Sequence, residues 1–436
     1  MPLTINQFIS WALTFLEVIL SCAVLIFISK KENPFINSRQ IILIISLLLI
    51  SNWANLSFEN ITLLAIIIPP SLIISQGMGT ITALTWVAIA FISWPNLNND
   101  TNNYLIFITF ICSIIVSILG GRIRNRAQSL QIAILVPLGA FLSQSLLLTN
   151  NIQQAKDFEF THSLTSKEIF SNSLLLLFLM LGTIIVMPIF ESVFGLTTKS
   201  RLLELSDQEK PLLRKLSIEA PGTFEHTLLI CSLAEEAARM IGADIDLIKT
   251  GALYHDIGKL HAPNWFIENQ EGSINPHDTL DDPYQSAKIL QNHVDQGLIY
   301  AEKYRLPKPI ANFIPEHQGT LKMGYFFHKA KEKCASTSER EFRYKGPIPQ
   351  TKETAILMLA DGCEAALRAL DINANDSEAI KTISKIISSR EDDGQLSNSN
   401  LSKAEFFLIK RAFLNVWKRI RHRRIKYPTS KNNTFS

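Results

Sequence analysis

Apolar residues run almost unbroken through the first half of the chain and recur at three- and four-residue intervals through the second. The unbroken runs fall at about 11–29, 41–57, 61–76, 79–95, 104–120, 131–148 and 173–194. The first and last have the ~20 residues a helix needs to cross a hydrocarbon core. The third and fourth are shorter, and Pro69-Pro70 inside the third removes backbone hydrogen bonds that lipid cannot replace. The pattern predicts seven crossings, or five if 61–95 only dips into the bilayer. SRLLELSDQEKPLLRKL (200–216) mixes charged and apolar residues at helical spacing and reads as a connector. Beyond Pro221-Gly222, the stretches LLICSLAEEAARMIGA, DLIKTGALYHDIGKL, YQSAKILQNHVDQGLIYAEKY, PIANFIPEH, TAILMLADGCEAALRAL and AIKTISKIISSR keep helical periodicity, and strand-like alternation is nearly absent. The predicted fold class is therefore all-α. A polytopic helical membrane domain (1–195) is followed by a helical connector (196–220), an all-helical bundle (221–428) and a disordered tail (429–436). Two segments interrupt the periodicity and read as long loops, HAPNWFIENQEGSINPHDTLDDP (261–283) and CASTSEREFRYKGPIPQT (334–351).

Charge orients the membrane half. Lys30, Lys31 and Arg39 flank the first loop and Arg122, Arg124 and Arg126 the fifth, whereas NLNNDTNN (96–103) and 149–171 carry little net positive charge. By the positive-inside rule the basic loops are cytoplasmic, which places the N-terminus outside and residues 196–436 inside. No basic residue precedes the first run, so a cleaved leader is not predicted. Glu17 is the one acidic residue inside that run. It reads as a functional charge or, more simply, as a carboxylate near a helix end or against a neighbouring helix. Without paired intramembrane charges a transporter is disfavoured. The overall charge of +3 gives no argument for a nucleic-acid polymer as partner, and the five cysteines form no CxxC pair or metal spacing, consistent with a reducing location for the second half.

Candidate chemistry gathers in the second half. His226, His255, Asp256, His293, His317 and Asp361 lie on or beside successive apolar helices. One buried imidazole is most simply a satisfied core residue, because burial without a partner costs several kcal/mol. Four imidazoles and two carboxylates on one bundle suit instead a site for Mn, Fe or Zn, with Asp256 as the natural bridge between two ions. Lys259, one turn past Asp256, would reach a phosphate held there or else be a solvated helix-end charge.

The doublet His255-Asp256 lies in YHDIGK, and the chain also carries FESVFGLTTKSRLLELSDQEKPLLRKLSIEAPGTFEHTLL (190–229), FIENQ (266–270), NPHD (275–278), FRYKGPIPQTKE (342–353) and HRRIKYP (422–428). This string resembles the seven-transmembrane HD-domain proteins, a branch of the HD metal-dependent phosphohydrolases that hydrolyses cyclic di-AMP. The resemblance implies that His226, His255, Asp256 and Asp361 hold one divalent cation and that Asp256, His293 and His317 hold a second, Mn or Fe in each case. It also implies that water, so activated, attacks a cyclic dinucleotide phosphodiester in line and releases a linear dinucleotide. Members usually have two consecutive histidines where EHQGT stands here, so Gln318 replaces one and predicts a looser second site. The HHExxDGxGYP motif of the cyclic di-GMP branch is absent, because LKMGYFF follows EHQGT. Family members generally carry a large extracytoplasmic domain after an initial membrane helix. With Met1 about ten residues before the first apolar run, that domain is expected to be missing. For substrate contacts the candidates are His277, Asp278, Tyr325, His328, Arg343 and Lys345, with ordinary loop packing as the alternative for each. The basic stretch 411–427 would bind nucleotide or an anionic leaflet, or simply cap the domain. The competing reading of the whole is a non-catalytic membrane receptor whose degenerate HD domain binds a nucleotide.

Overall fold

A computed structural model describes residues 5–32, 36–57, 63–93, 103–154, 165–270, 275–371 and 373–422. The tail 429–436, most of the loop 96–103 and most of the motif 422–428 lie outside them. The chain divides into two compact units, 1–203 and 204–436. Among the described residues there is no strand, only an isolated bridge between Lys322 and Arg343.

Among the described residues up to Phe194 the first unit holds seven helices: α1 (Ile5–Glu32), α2 (Ser38–Ser57), α3 (Leu63–Met78), α4 (Thr80–Ile92), α5 (Asn103–Gly120), α6 (Arg126–Gln154) and α7 (Ser166–Phe194). Two of the described stretches, Arg126–Leu148 and Ser166–Phe194, are long and apolar enough to cross a bilayer, and Ser38–Ala54, Leu63–Met78, Thr80–Ile92 and Leu105–Gly120 are shorter apolar helices. Large apolar side chains such as Phe27, Phe107, Leu146, Phe178 and Ile185 stand exposed, as a lipid-facing surface requires. Glu17 is exposed as well.

Helix α3 is central, with thirteen of its sixteen residues buried. It runs unbroken through Pro69 and Pro70. Pro70 leaves the Ile66 carbonyl without its helical donor, and the buried Ser51 hydroxyl of α2 donates to that oxygen at 3.3 Å. At 1.5 Å per residue α3 is about 24 Å long, short of the ~30 Å hydrocarbon core. Glycines let α5 approach closely: a Cβ on Gly120 would stand 2.0 Å from Ser75 Oγ. At the end of α7 the buried Glu191 accepts from Thr198 Oγ1 at 2.5 Å and pairs with Arg126 Nη2 at 3.2 Å.

Helix α8 (Lys199–Leu205) spans the boundary, and α9 (Pro211–Glu219) follows. The second unit is built on α10 (Pro221–Ile241), which packs against α9, α11 (Ile245–Tyr254), α17 (Lys352–Arg368) and α19 (Lys403–His422). Between them lie α12 (Pro276–Leu280), α13 (Pro283–Lys303), α14 (Lys308–Ala311), α15 (Phe313–Glu316), α16 (Gly324–Lys333) and α18 (Asp376–Asp392). Helical caps match the sequence: Asp244 accepts from two N–H groups at the start of α11, and Gly242 closes α10 at φ +74. The two expected loops differ: the first is built largely of turns and the second is mostly irregular. Segment 261–283 contains 3₁₀ turns at Pro263–Trp265 and Ile267–Asn269 plus α12, and 334–351 contains one at Glu339–Phe342.

Candidate metal centre

The HD doublet does not lie within a helix, as its apolar surroundings suggest. α11 ends at Tyr254, His255 is its C-cap, and Asp256 leads into a 3₁₀ turn, Ile257–His261. Gly258 explains the tight turn. A Cβ there would stand 1.7 Å from the His293 carbonyl oxygen, so only glycine lets the turn press against α13. His226 sits in the second turn of α10, His293 in the middle of α13, His317 at the C-cap of α15 and Asp361 in the middle of α17.

These six residues converge. His226 Nε2 is 3.1 Å from Asp361 Oδ1, and His255 Nε2 is 3.2 Å from Asp256 Oδ2. The Nε2 atoms of His293 and His317 each lie 3.5 Å from Asp256 Oδ1. His226, His255 and Asp361 form one group whose ligand atoms lie within 4.8 Å of one another, and His255, Asp256 and His317 form another. Asp256 thus offers its two oxygens to different imidazoles, the geometry of a bridging carboxylate.

Ring orientation is set by the other nitrogen. The Nδ1–H of His255 donates to Ala252 O at 2.7 Å, that of His293 to Leu290 O at 2.5 Å and that of His317 to Ile314 O at 2.7 Å. His226 Nδ1 bonds Glu364 Oε2 at 2.6 Å, and Glu364 in turn accepts from Arg368. The three carbonyls fix the tautomers of His255, His293 and His317 and leave their Nε2 lone pairs facing inward. His255 Nε2, Asp256 Oδ1 and His293 Nε2 are fully buried with no hydrogen-bond partner, a costly arrangement unless a cation takes their lone pairs. The donor set of imidazole and carboxylate suits a divalent transition metal.

Electrostatics agree. Burial alone would lower the His226 pKa, but its bonds to Asp361 and Glu364 outweigh burial and raise it to about 9. A proton therefore sits between His226 Nε2 and Asp361 where a cation would compete for the same atoms. At His293 burial dominates and pulls the pKa to about 3, so this ring is neutral and available as a ligand. Burial raises the Asp256 pKa, yet the Lys259 ammonium and the neighbouring imidazoles hold the carboxyl well below its usual range.

Lys259 is not a solvated helix end. It is buried, with Nζ 2.8 Å from Asp256 Oδ2 and 2.6 Å from Glu268 Oε1. Glu268 also accepts from Thr223 Oγ1 at 3.0 Å, one turn before His226. Gln318 Nε2 lies 3.0 Å from His317 Nε2, at the edge of the centre.

The candidate substrate residues are engaged elsewhere. His277 is buried, donates through Nε2 to Trp265 O at 3.0 Å and packs against the Trp265 and Phe326 rings. Asp278 pairs with Lys329, whose ammonium also sits over the Tyr325 ring, and His328 is exposed beside Glu332. Lys345 pairs with Asp295. Arg343 is the most firmly held: its guanidinium pairs bidentately with Asp393 at 2.9 and 3.0 Å and also donates to Glu339 and to Thr320 O. Two site residues were not singled out in the sequence reading. Glu364 lies three residues past Asp361 and hence on the same helical face, and Glu268 lies within FIENQ.

Residues 8–198 match the family model of 7TM receptors with an intracellular HD hydrolase, and 223–366 match the HD domain. An uncharacterised protein of Synechocystis sp. is 48% identical over 56% of this chain and 30% of its own length. The cyclic-di-AMP phosphodiesterase PgpH of Bacillus subtilis is 34% identical over 96% of this chain and 60% of its own. The chain thus spans less than two thirds of either relative. The crystal structure of the L. monocytogenes phosphodiesterase PgpH HD domain in complex with cyclic-di-AMP is 37% identical, covers 49% of this chain and 99% of that one, and superposes with a TM-score of 0.48. Two successive family matches, in the order membrane helices then HD domain and with the HD doublet at the buried centre, place this chain in the family of 7TM receptors with an intracellular HD hydrolase domain.

Proposed function

We propose that the chain is a membrane-anchored, metal-dependent phosphodiesterase that opens a cyclic dinucleotide, cyclic di-AMP in the first instance, to a linear product. The observation that carries this reading is the set of four imidazoles with Nδ1 bonded outward and Nε2 aimed at two shared carboxylates. His226, His255, Asp256 and Asp361 would hold one divalent cation, and Asp256, His293 and His317 a second, with the Gln318 amide oxygen or water completing it. Mn and Fe both suit these donors. Such cations, when bound, acidify water and offset phosphate charge. The chain's own residues do the rest. Asp256 ties the two positions together, Glu364 holds the His226 ring, and Glu268 keeps the Lys259 ammonium beside Asp256, where it offsets charge on a phosphate. The substrate assignment is supported by the cyclic-di-AMP phosphodiesterase relative named above. The basic loops support a cytoplasmic position for residues 196–436.

A second reading, a nucleotide receptor without turnover, is favoured by Gln318, whose amide caps the His317 lone pair. Metal analysis of the purified full chain, together with turnover of cyclic di-AMP and cyclic di-GMP, separates the two. We expect bound metal and hydrolysis of cyclic di-AMP ahead of cyclic di-GMP, both lost in Asp256→Asn. Nucleotide binding without hydrolysis in the metal-loaded chain would establish the receptor instead.

A further inference from the structure

The turn that carries His317 and Gln318 is gripped from behind by side chains far away in sequence. Gly319 follows Gln318 with φ +53, and a Cβ there would stand 2.5 Å from Gln395 Oε1, so the backbone lies directly against this amide. Gln395 is buried and bonds Thr320 twice: its Oε1 accepts from Thr320 N at 2.9 Å, and its Nε2 donates to Thr320 Oγ1 at 2.8 Å. The same Nε2 donates to Asp393 Oδ2 at 2.9 Å. Asp393 receives the bidentate guanidinium of Arg343, whose Nη1 also donates to Thr320 O at 2.8 Å. Thr320 therefore has its N–H, its carbonyl and its hydroxyl all held, by residues from two other segments.

We propose that Gln395, with the Asp393–Arg343 pair behind it, is a positioning residue for the second cation: it fixes the 317–320 turn so that His317 Nε2 stays aimed at Asp256. This rests on the assignment of Asp256, His293 and His317 as a cation position. A buried amide matched to two polar atoms of one residue and to a carboxylate oxygen of another is a costly device for a surface turn, because every partner left unmatched after a change would carry a desolvation penalty. Its placement explains the expense. His317 has one local anchor, the carbonyls of Phe313 and Ile314 on its N-terminal side. The chain on its C-terminal side is held through Thr320.

Three variants of the full chain in detergent test this. Gln395→Met keeps the volume and removes both bonds to Thr320, Thr320→Val removes only the hydroxyl bond, and Thr320→Ser retains everything. Titration of the metal-free chain with Mn²⁺ should show the weaker of two binding steps reduced about 10–100-fold in Gln395→Met, with the tighter step unchanged. Thr320→Val should fall between, and Thr320→Ser should match the parent chain. Hydrogen exchange of the metal-free protein should rise over residues 316–323 in the same order. Faster exchange with an unchanged weaker step would reduce Gln395 to a purely structural residue and overturn the proposal, as would unchanged exchange in Gln395→Met. A parent chain that binds no Mn²⁺ would instead overturn the phosphodiesterase reading, with exchange alone still deciding whether Gln395 holds the turn.

Discussion

Two buried carboxylates, one in each half of the chain, are treated in opposite ways. Glu191, at the end of α7, has a hydroxyl on one oxygen and a guanidinium on the other, so both of its oxygens are matched. Asp256 has an ammonium near one oxygen, while the other faces two imidazole nitrogens at 3.5 Å without a hydrogen bond. Burial is nearly equal, 3% exposed against 2%, so burial does not separate them. Satisfaction does. A carboxylate whose lone pairs are all matched braces a fold. One that shares its unmet oxygen with other unmet ligand atoms is arranged around something else.

That contrast breaks first at Asp256. Asp256→Asn should cost about 10⁴-fold or more in cyclic di-AMP turnover, measured against a parent chain of matching helical content. Next is the contact that brings the doublet to α13. Gly258→Ala must push the turn off the His293 carbonyl, so it should destabilise by about 1–3 kcal/mol in thermal unfolding and weaken Mn²⁺ binding as well. A pH experiment sharpens the comparison without a ligand. The His293 pKa is depressed to about 3 from an ordinary 6.5, so its contribution to stability is full above pH 6.5 and shrinks as pH falls toward 3. Between pH 7 and pH 5 the metal-free parent should lose about 2 kcal/mol more than His293→Gln does, read as the difference between their unfolding midpoints. The His226 pKa is raised, so its contribution runs the other way, present at low pH and lost toward pH 9. Taking the difference between parent and variant removes it. The smallest effect belongs to the satisfied carboxylate. Glu191→Gln should cost about 1 kcal/mol, since Arg126 is a third exposed, and should leave Mn²⁺ binding untouched.

Most of the helices were legible because their signal is local. Seven apolar runs correspond to α1–α7, and the three- and four-residue spacing of the second half corresponds to its helices. The six converging residues were legible as types on successive helices, with the family resemblance supplying their grouping. What escaped the sequence reading depends on contacts between distant segments. Periodicity carried the apolar pattern of α11 through His255, whereas the helix ends at Tyr254 because Gly258 must meet α13. Pro69-Pro70 read as backbone hydrogen bonds lost without replacement, since nothing local announces that Ser51 of α2 would serve the Ile66 carbonyl. Arg343 read equally as a phosphate contact or as loop packing, and only the fold brings Asp393 to it. Glu364 alone was recoverable, from its i+3 offset to Asp361.

His255, His293 and His317 each lean on a carbonyl three residues upstream in their own backbone. The aim of each ring is thereby written into its own short segment rather than borrowed from a neighbour. Such a centre can be brought together from separate pieces of chain, each arriving with its proton already parked on the far nitrogen, so that capturing a cation demands no tautomer exchange at these three rings.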